Sequence, residues 1–250
     1  MDFTCNICGT EVKNCPVENI DREIQSCPQC HSSVRTRSII HLLSIARYGR
    51  SMPLPAFLVE PAVVGIGLSD WNYAEPLTNK FSYTNTYYHQ PPYLDISAPV
   101  TDRAATCDFV ISTEVFEHVT PPASRAFKGA YDLLKPGGHL ILTVPFTNEP
   151  HTVEHFPDLC DYRIVQFGEE YILVNRTADG RFKVYDKLVF HGGPGTTLEM
   201  RVFCRKGVER HLADAGFVDI RIMGENAPQW GIVHNHPWSL PILARRPSSG

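Results

Sequence analysis

The chain has 250 residues, 43% of them hydrophobic and 20% charged, with a formal net charge of −4. Ordinary apolar content and a small net charge exclude disorder as the main state and argue against a protein built mainly to grip nucleic acid. No apolar run is long enough to cross a membrane, and Met1–Cys5 lacks the basic and apolar regions of a secretion signal, so a cytoplasmic protein without membrane attachment is expected.

The first 30 residues hold five of the eight cysteines. Cys5-Asn6-Ile7-Cys8 and Cys27-Pro28-Gln29-Cys30 form two Cys-x-x-Cys pairs with 18 residues between them. Each pair can present two thiolates from one tight turn, and four thiolates suit tetrahedral zinc. Cys5, Cys8, Cys27 and Cys30 are therefore the expected ligands of a closed, structural zinc ribbon. Cys15 and His31 are spare donors, and Cys15 could replace a member of either pair. Gly9 suits the turn after the first pair.

Apolar positions from Val34 to Tyr48 follow helical spacing. Its arginines, Arg35, Arg37 and Arg47, with Arg50 beyond it, are expected to be solvated, with a phosphate-binding face as the alternative. A proline-rich connector, 51–61, leads into a buried strand over Ala62–Leu68 and a turn at Ser69-Asp70. A short helix over Trp71–Asn79, a strand over Phe81–Tyr88 and a brief strand over Tyr93–Ile96 should follow. Asp108–Ser112 has the continuous apolar character of a parallel strand covered on both faces. Pro121–Leu134 reads as a helix ended by Lys135-Pro136-Gly137-Gly138, and His139–Val144 as the next strand. Strand and helix alternate, so the expected class is α/β with a parallel, Rossmann-like sheet.

Segments 162–167, 171–176 and 181–190 read as an antiparallel meander inserted at about 147–200. A helix over Arg205–Ala215, ended by Gly216, and strands over Phe217–Met223 and Pro237–Arg245 complete the chain. The expected organisation is a ribbon and arginine-bearing helix over 1–50 and a catalytic domain over 51–250.

Three blocks resemble the class I S-adenosylmethionine (SAM)-dependent methyltransferases, type-11-like: Gly65-Ile66-Gly67, the run Cys107–Val119, and the run Leu133–Phe146 with its Lys-Pro-Gly-Gly turn. The resemblance covers about residues 57–245 and implies SAM as cofactor. In such sheets ligands bind beyond the carboxyl ends of the strands. Gly65, Gly67, Ser69 and Asp70 at the first turn, Asn85 for the ribose, Asp95 for the adenine amino group as the resemblance implies, its neighbour Ile96, and Glu114 at the cofactor's edge are the candidate cofactor residues. Two departures stand out: Gly65 replaces the family's usual acid, and Ser69 replaces a third glycine. The closing helix–strand–strand unit also resembles the family's, which normally places the last strand antiparallel.

The insertion is where acceptor recognition is expected. His155 and His191 are the candidate catalytic bases, with Glu154 or Asp158 orienting one of them. Glu114-x-x-Glu117-His118 is similar to a pattern in ubiquinone-pathway O-methyltransferases that is linked to a divalent metal. Acids and a histidine at a helix start also suit the dipole and capping, and that reading weighs more. The expected activity is O-methylation of a small polar acceptor, such as a sugar or glycan-linked metabolite. The alternatives are an RNA methyltransferase gripping RNA with its ribbon, and a non-catalytic SAM-fold binding protein.

Overall fold

A computed structural model describes residues 1–248. In chain order the elements are β1 (Phe3–Thr4), β2 (Glu11–Val12), α1 (Val34–Tyr48), β3 (Glu60–Leu68), α2 (Ala74–Thr78), β4 (Phe81–Thr86), β5 (Cys107–Thr113), α3 (Ser124–Leu133), β6 (Leu134–Thr143), β7 (Phe146–Thr147), β8 (Val153–Glu154), β9 (Asp161–Phe167), β10 (Glu170–Arg176), β11 (Phe182–Tyr185), β12 (Phe190–His191), β13 (Thr197–Leu198), β14 (Arg201–Cys204), α4 (Arg205–Ala215), β15 (Val218–Ile222) and β16 (Ile242–Arg245). A six-stranded sheet runs β15-β16-β6-β5-β3-β4. β4, β3, β5 and β6 are parallel, and β16 closes antiparallel on β6 with β15 outside it.

The sheet is covered on both faces, as its apolar central strands require. Alternate residues of β5 point to opposite sides. Phe109 and Ile111, with Ile141 and Leu243, join a core shared with α1 and the cysteine-rich segment. Val110, with Leu140, Leu142 and Ile66, joins a core under α3 and α4. The amino-terminal segment is thus one outer layer of a three-layer sandwich, packed on the sheet through α1.

Helix α1 starts where the Ser33 N–H donates to Thr36 Oγ1 at 3.1 Å and stops at Gly49, whose φ of 66° favours glycine. One of its arginines departs from the solvated expectation. Arg37 is completely buried. It donates to the Ser32 and Gly231 carbonyls, each at 2.8 Å, and to Ser26 Oγ at 2.9 Å, so its charge has three acceptors from two distant parts of the chain.

The expected strand over Tyr93–Ile96 does not form. Only a single parallel bridge joins Tyr87 to Tyr93. Pro91 and Pro92 carry no N–H for a ladder, so the segment folds back through Tyr87 N–H to the Pro92 carbonyl. The expected meander is present as β9, β10 and β11, antiparallel throughout. Its third strand ends at Tyr185, and the chain then forms a separate hairpin, β12–β13, through the glycine turn at 192–195.

Candidate active site

A cavity of about 660 Å³ lies across the carboxyl ends of β3, β4 and β5, where open parallel sheets bind ligands. That volume suits a small molecule. Leu68, Ser69, Asp95, Ile96 and Glu114 line the side of the cavity nearest the strand ends. Ser69 takes a φ of 57°, the left-handed conformation that a glycine would adopt most easily. Glu114 has a φ of 54° and follows β5 directly. Asp95 Oδ1 accepts from the N–H and hydroxyl of Ser97, which pins an exposed carboxylate at the cavity mouth.

The other candidate cofactor residues stand behind this wall. A Cβ on Gly65 would lie 2.2 Å from the Phe109 ring. A Cβ on Gly67 would lie 1.8 Å from Asp70 Oδ2 and 2.0 Å from the Tyr83 hydroxyl. Both glycines are therefore small because protein side chains fill the space beside them. Asp70 is buried, and the hydroxyls of Tyr73 and Tyr83 donate to its two oxygens. Burial raises its carboxyl to about 6, against the lowering effect of the two tyrosine bonds. Asn85 is spent on the same turn: its Oδ1 accepts from the Asp70 N–H, and its Nδ2 donates to the Asp70 carbonyl and Tyr87 hydroxyl.

The opposite side of the cavity carries the histidines. His191 Nε2 and His155 Nε2 each lie 2.9 Å from Glu199, on different oxygens. His191 lines the cavity, along with His118. The expected orienting acids act elsewhere: Glu154 pairs with the fully buried Arg201 at 2.8 Å, and Asp158 pairs with Lys183. Glu199 does the orienting, and sequence reasoning missed it, because two histidines 36 positions apart in the chain signal nothing about a shared carboxylate. Arg22, from between the two cysteine pairs, is the second omission. Its Nη2 donates to Glu114 Oε1 at 2.7 Å and its Nε to the Ser239 carbonyl at 3.1 Å.

The four sulfurs of Cys5, Cys8, Cys27 and Cys30 lie within 4.8 Å of one another. Cys5 and Cys30 are 3.5 Å apart, and Cys8 and Cys27 are 3.7 Å apart. Tetrahedral zinc with Zn–S bonds of ~2.3 Å needs sulfurs ~3.8 Å apart, so the donor set fits that ion. The two turns are alike. The Gly9 N–H reaches the Cys5 carbonyl, the His31 N–H reaches the Cys27 carbonyl, and both residues have positive φ. His31 thus serves the turn, and Cys15 lies outside the cluster.

A family model described as a methyltransferase domain matches residues 41–173, just over half of the chain. No curated protein matches the sequence. Among solved structures, the fold is similar to a SAM-dependent methyltransferase from Clostridium acetobutylicum (12% identity, 75% of this chain and 85% of that one, TM-score 0.43). It is also similar to SAM-bound CalS10, an amino pentose methyltransferase from Micromonospora echinaspora (14%, 86% and 92%, 0.47). A third is the sugar N-methyltransferase KedS8 from Streptoalloteichus (11%, 84% and 86%, 0.47). The chain belongs to the methyltransferase-domain family.

Proposed function

We propose that the cavity holds SAM between Ser69, Asp95, Ile96 and Glu114, and that the methyl group passes to an oxygen of a small polar acceptor lying toward His191. One observation carries this reading: a single cavity joins the strand ends to the insertion's histidine cluster. The displacement needs little beyond alignment of the acceptor with the sulfonium methyl. His191, held by Glu199, is the side chain that activates the acceptor, and His155 steadies Glu199 from its other oxygen. Gly65, Gly67, Asp70 and Asn85 shape the first turn from behind.

A sugar or glycan-linked metabolite is the acceptor class this polar wall favours. RNA is disfavoured by the state of the arginines: Arg37 is buried, Arg35 is paired with Glu23, and Arg47 with Glu60. Cys5, Cys8, Cys27 and Cys30 hold a structural zinc in this reading, which suits the reducing cytoplasm. Among the described residues no helix is long and apolar enough to cross a membrane.

Calorimetry with SAM and its demethylated product tests the cofactor reading, with Asp95→Ala as the weakened control. Failure of either compound to bind at millimolar concentration would overturn it. Transfer of labelled methyl to a sugar panel tests the acceptor class, and turnover unaffected by His191→Ala would remove that residue from the chemistry.

A further inference from the structure

The Glu117 side chain is fully buried, and neither carboxylate oxygen accepts a hydrogen bond. A carboxylate buried without partners must either take up a proton or meet a cation. Its charged surroundings make matters worse. Two other carboxylates, Glu114 and Glu199, act on it, and the cation that opposes them, Arg22, is bound to Glu114. The place lacks a positive charge.

The neighbouring histidines are held as ligands are held. His118 Nδ1 lies 2.9 Å from the Leu198 carbonyl. A carbonyl only accepts, so Nδ1 carries the proton and Nε2 presents a lone pair, 3.6 Å from Glu117 Oε1. The His191 ring stands edge-on to the His118 ring with centroids 4.8 Å apart, and Glu199 fixes His191 from the far side. Far-side carbonyl and carboxylate partners of this kind orient metal-binding imidazoles. One donor atom from each of Glu117, His118 and His191 lies within 4.8 Å of the other two.

We propose that Glu117, His118 and His191 bind one divalent first-row transition cation whose open positions face the cavity. Two imidazoles and one carboxylate form a donor set suited to such an ion, and leave room for an exogenous oxygen. This is not the Glu114–Glu117–His118 run of the sequence. That run is not a helix face: Phe116–His118 is a short 3₁₀ turn, Glu114 is turned onto Arg22, and the third donor comes from the β12–β13 hairpin.

The role of the ion rests on the methyl-transfer reading above, and its binding does not. An acceptor hydroxyl on the cation loses its proton to water more readily. Its oxygen forms the new bond to the methyl carbon as the carbon–sulfur bond breaks, and the electron pair stays on the sulfur of the departing demethylated cofactor. His191 thereby activates the acceptor through the ion.

The test uses the full chain with its cysteine cluster loaded with zinc. Manganese(II), which prefers oxygen and nitrogen to thiolate, is titrated in without SAM or acceptor and followed by electron paramagnetic resonance. One manganese per chain is expected, bound at least about tenfold more weakly by Glu117→Gln and by His191→Ala. Zinc content should stay unchanged in both. Absence of saturable binding at millimolar manganese, or equal binding by the variants, overturns the site. If Glu117→Gln does not fold, His191→Ala decides, because its side chain stands at the edge of an exposed hairpin. SAM calorimetry on the same samples separates the two readings: SAM binding without manganese binding removes the cation site alone, and the converse removes the cofactor reading alone.

Discussion

Asp70 provides a test of how the first turn is built. Its two oxygens accept from Tyr73 and Tyr83, yet burial still moves the carboxyl from 3.8 to about 6. A shift of this size corresponds to about 3 kcal/mol. The sign follows from the folded value being the higher one. The folded state binds the proton more tightly, so the stabilising contribution is complete below about pH 4 and is lost as pH rises through about 6. Asp70→Asn keeps the shape and supplies one acceptor and one donor to the two hydroxyls, without titrating. Relative to that variant, the wild type should lose about 1.4 kcal/mol of stability between about pH 5 and about pH 7.5. Urea unfolding at both pH values, extrapolated to water, measures it. A difference between the two proteins that is the same at both pH values would refute the reasoning. The carboxyl would then titrate like an exposed one, and the tyrosine bonds would outweigh burial.

Other outcomes follow from the same geometry. Purified protein should carry one zinc per chain, and Cys8→Ser should lower both the zinc content and the melting temperature, as metal analysis and calorimetry would show. Arg22→Ala should weaken SAM binding about tenfold at unchanged zinc content, because Glu114 loses the guanidinium that holds it at the cavity wall. Arg22→Lys should restore part of that affinity, and SAM titration of both variants distinguishes positioning from a general loss of fold. Arg37→Ala leaves the Ser32 and Gly231 carbonyls without their partner and should cost at least about 3 kcal/mol in denaturant unfolding.

The legible parts of this fold are those whose signals are local. Helices α1 and α4 end where Gly49 and Gly216 adopt left-handed φ, and their bounds agree with the sequence reading to the residue. Strand β5 was readable because a run buried on both faces has no polar alternation to confuse it. What escaped was set by distant partners. Arg37 sits on the apolar side of a helix, and its acceptors lie in the cysteine-rich loop, at Ser26 and Ser32, and 194 positions away, at the Gly231 carbonyl. Glu199 meets the two histidines only when the hairpin brings His191 to one of its oxygens and the β8 region brings His155 to the other. The missing strand over Tyr93–Ile96 is the reverse case: the two prolines before it cannot extend a ladder, and the Leu94 N–H is spent on the Tyr87 carbonyl.

The shared core also bears on how the chain unfolds. Phe3, Ile7, Val12 and Ile20, all from the cysteine-rich segment, pack in one cluster with Ile39 and Leu43 of α1 and with Phe81 and Phe109 of the sheet. At about 2 kcal/mol for each of those four side chains, their burial contributes about 8 kcal/mol, comparable to the whole stability of a typical domain. Arg37 adds a polar tie between Ser26 in that segment and Gly231 near the carboxyl end. A break between a ribbon unit and a catalytic unit near residue 50 would have to open this cluster, so the two should not melt separately. Calorimetry should show one transition for the zinc-loaded chain, and chelation should move that transition down in temperature without splitting it. Two resolved transitions, with SAM raising only the later one, would show that the ribbon folds by itself and that the sheet face beneath α1 is stable without it.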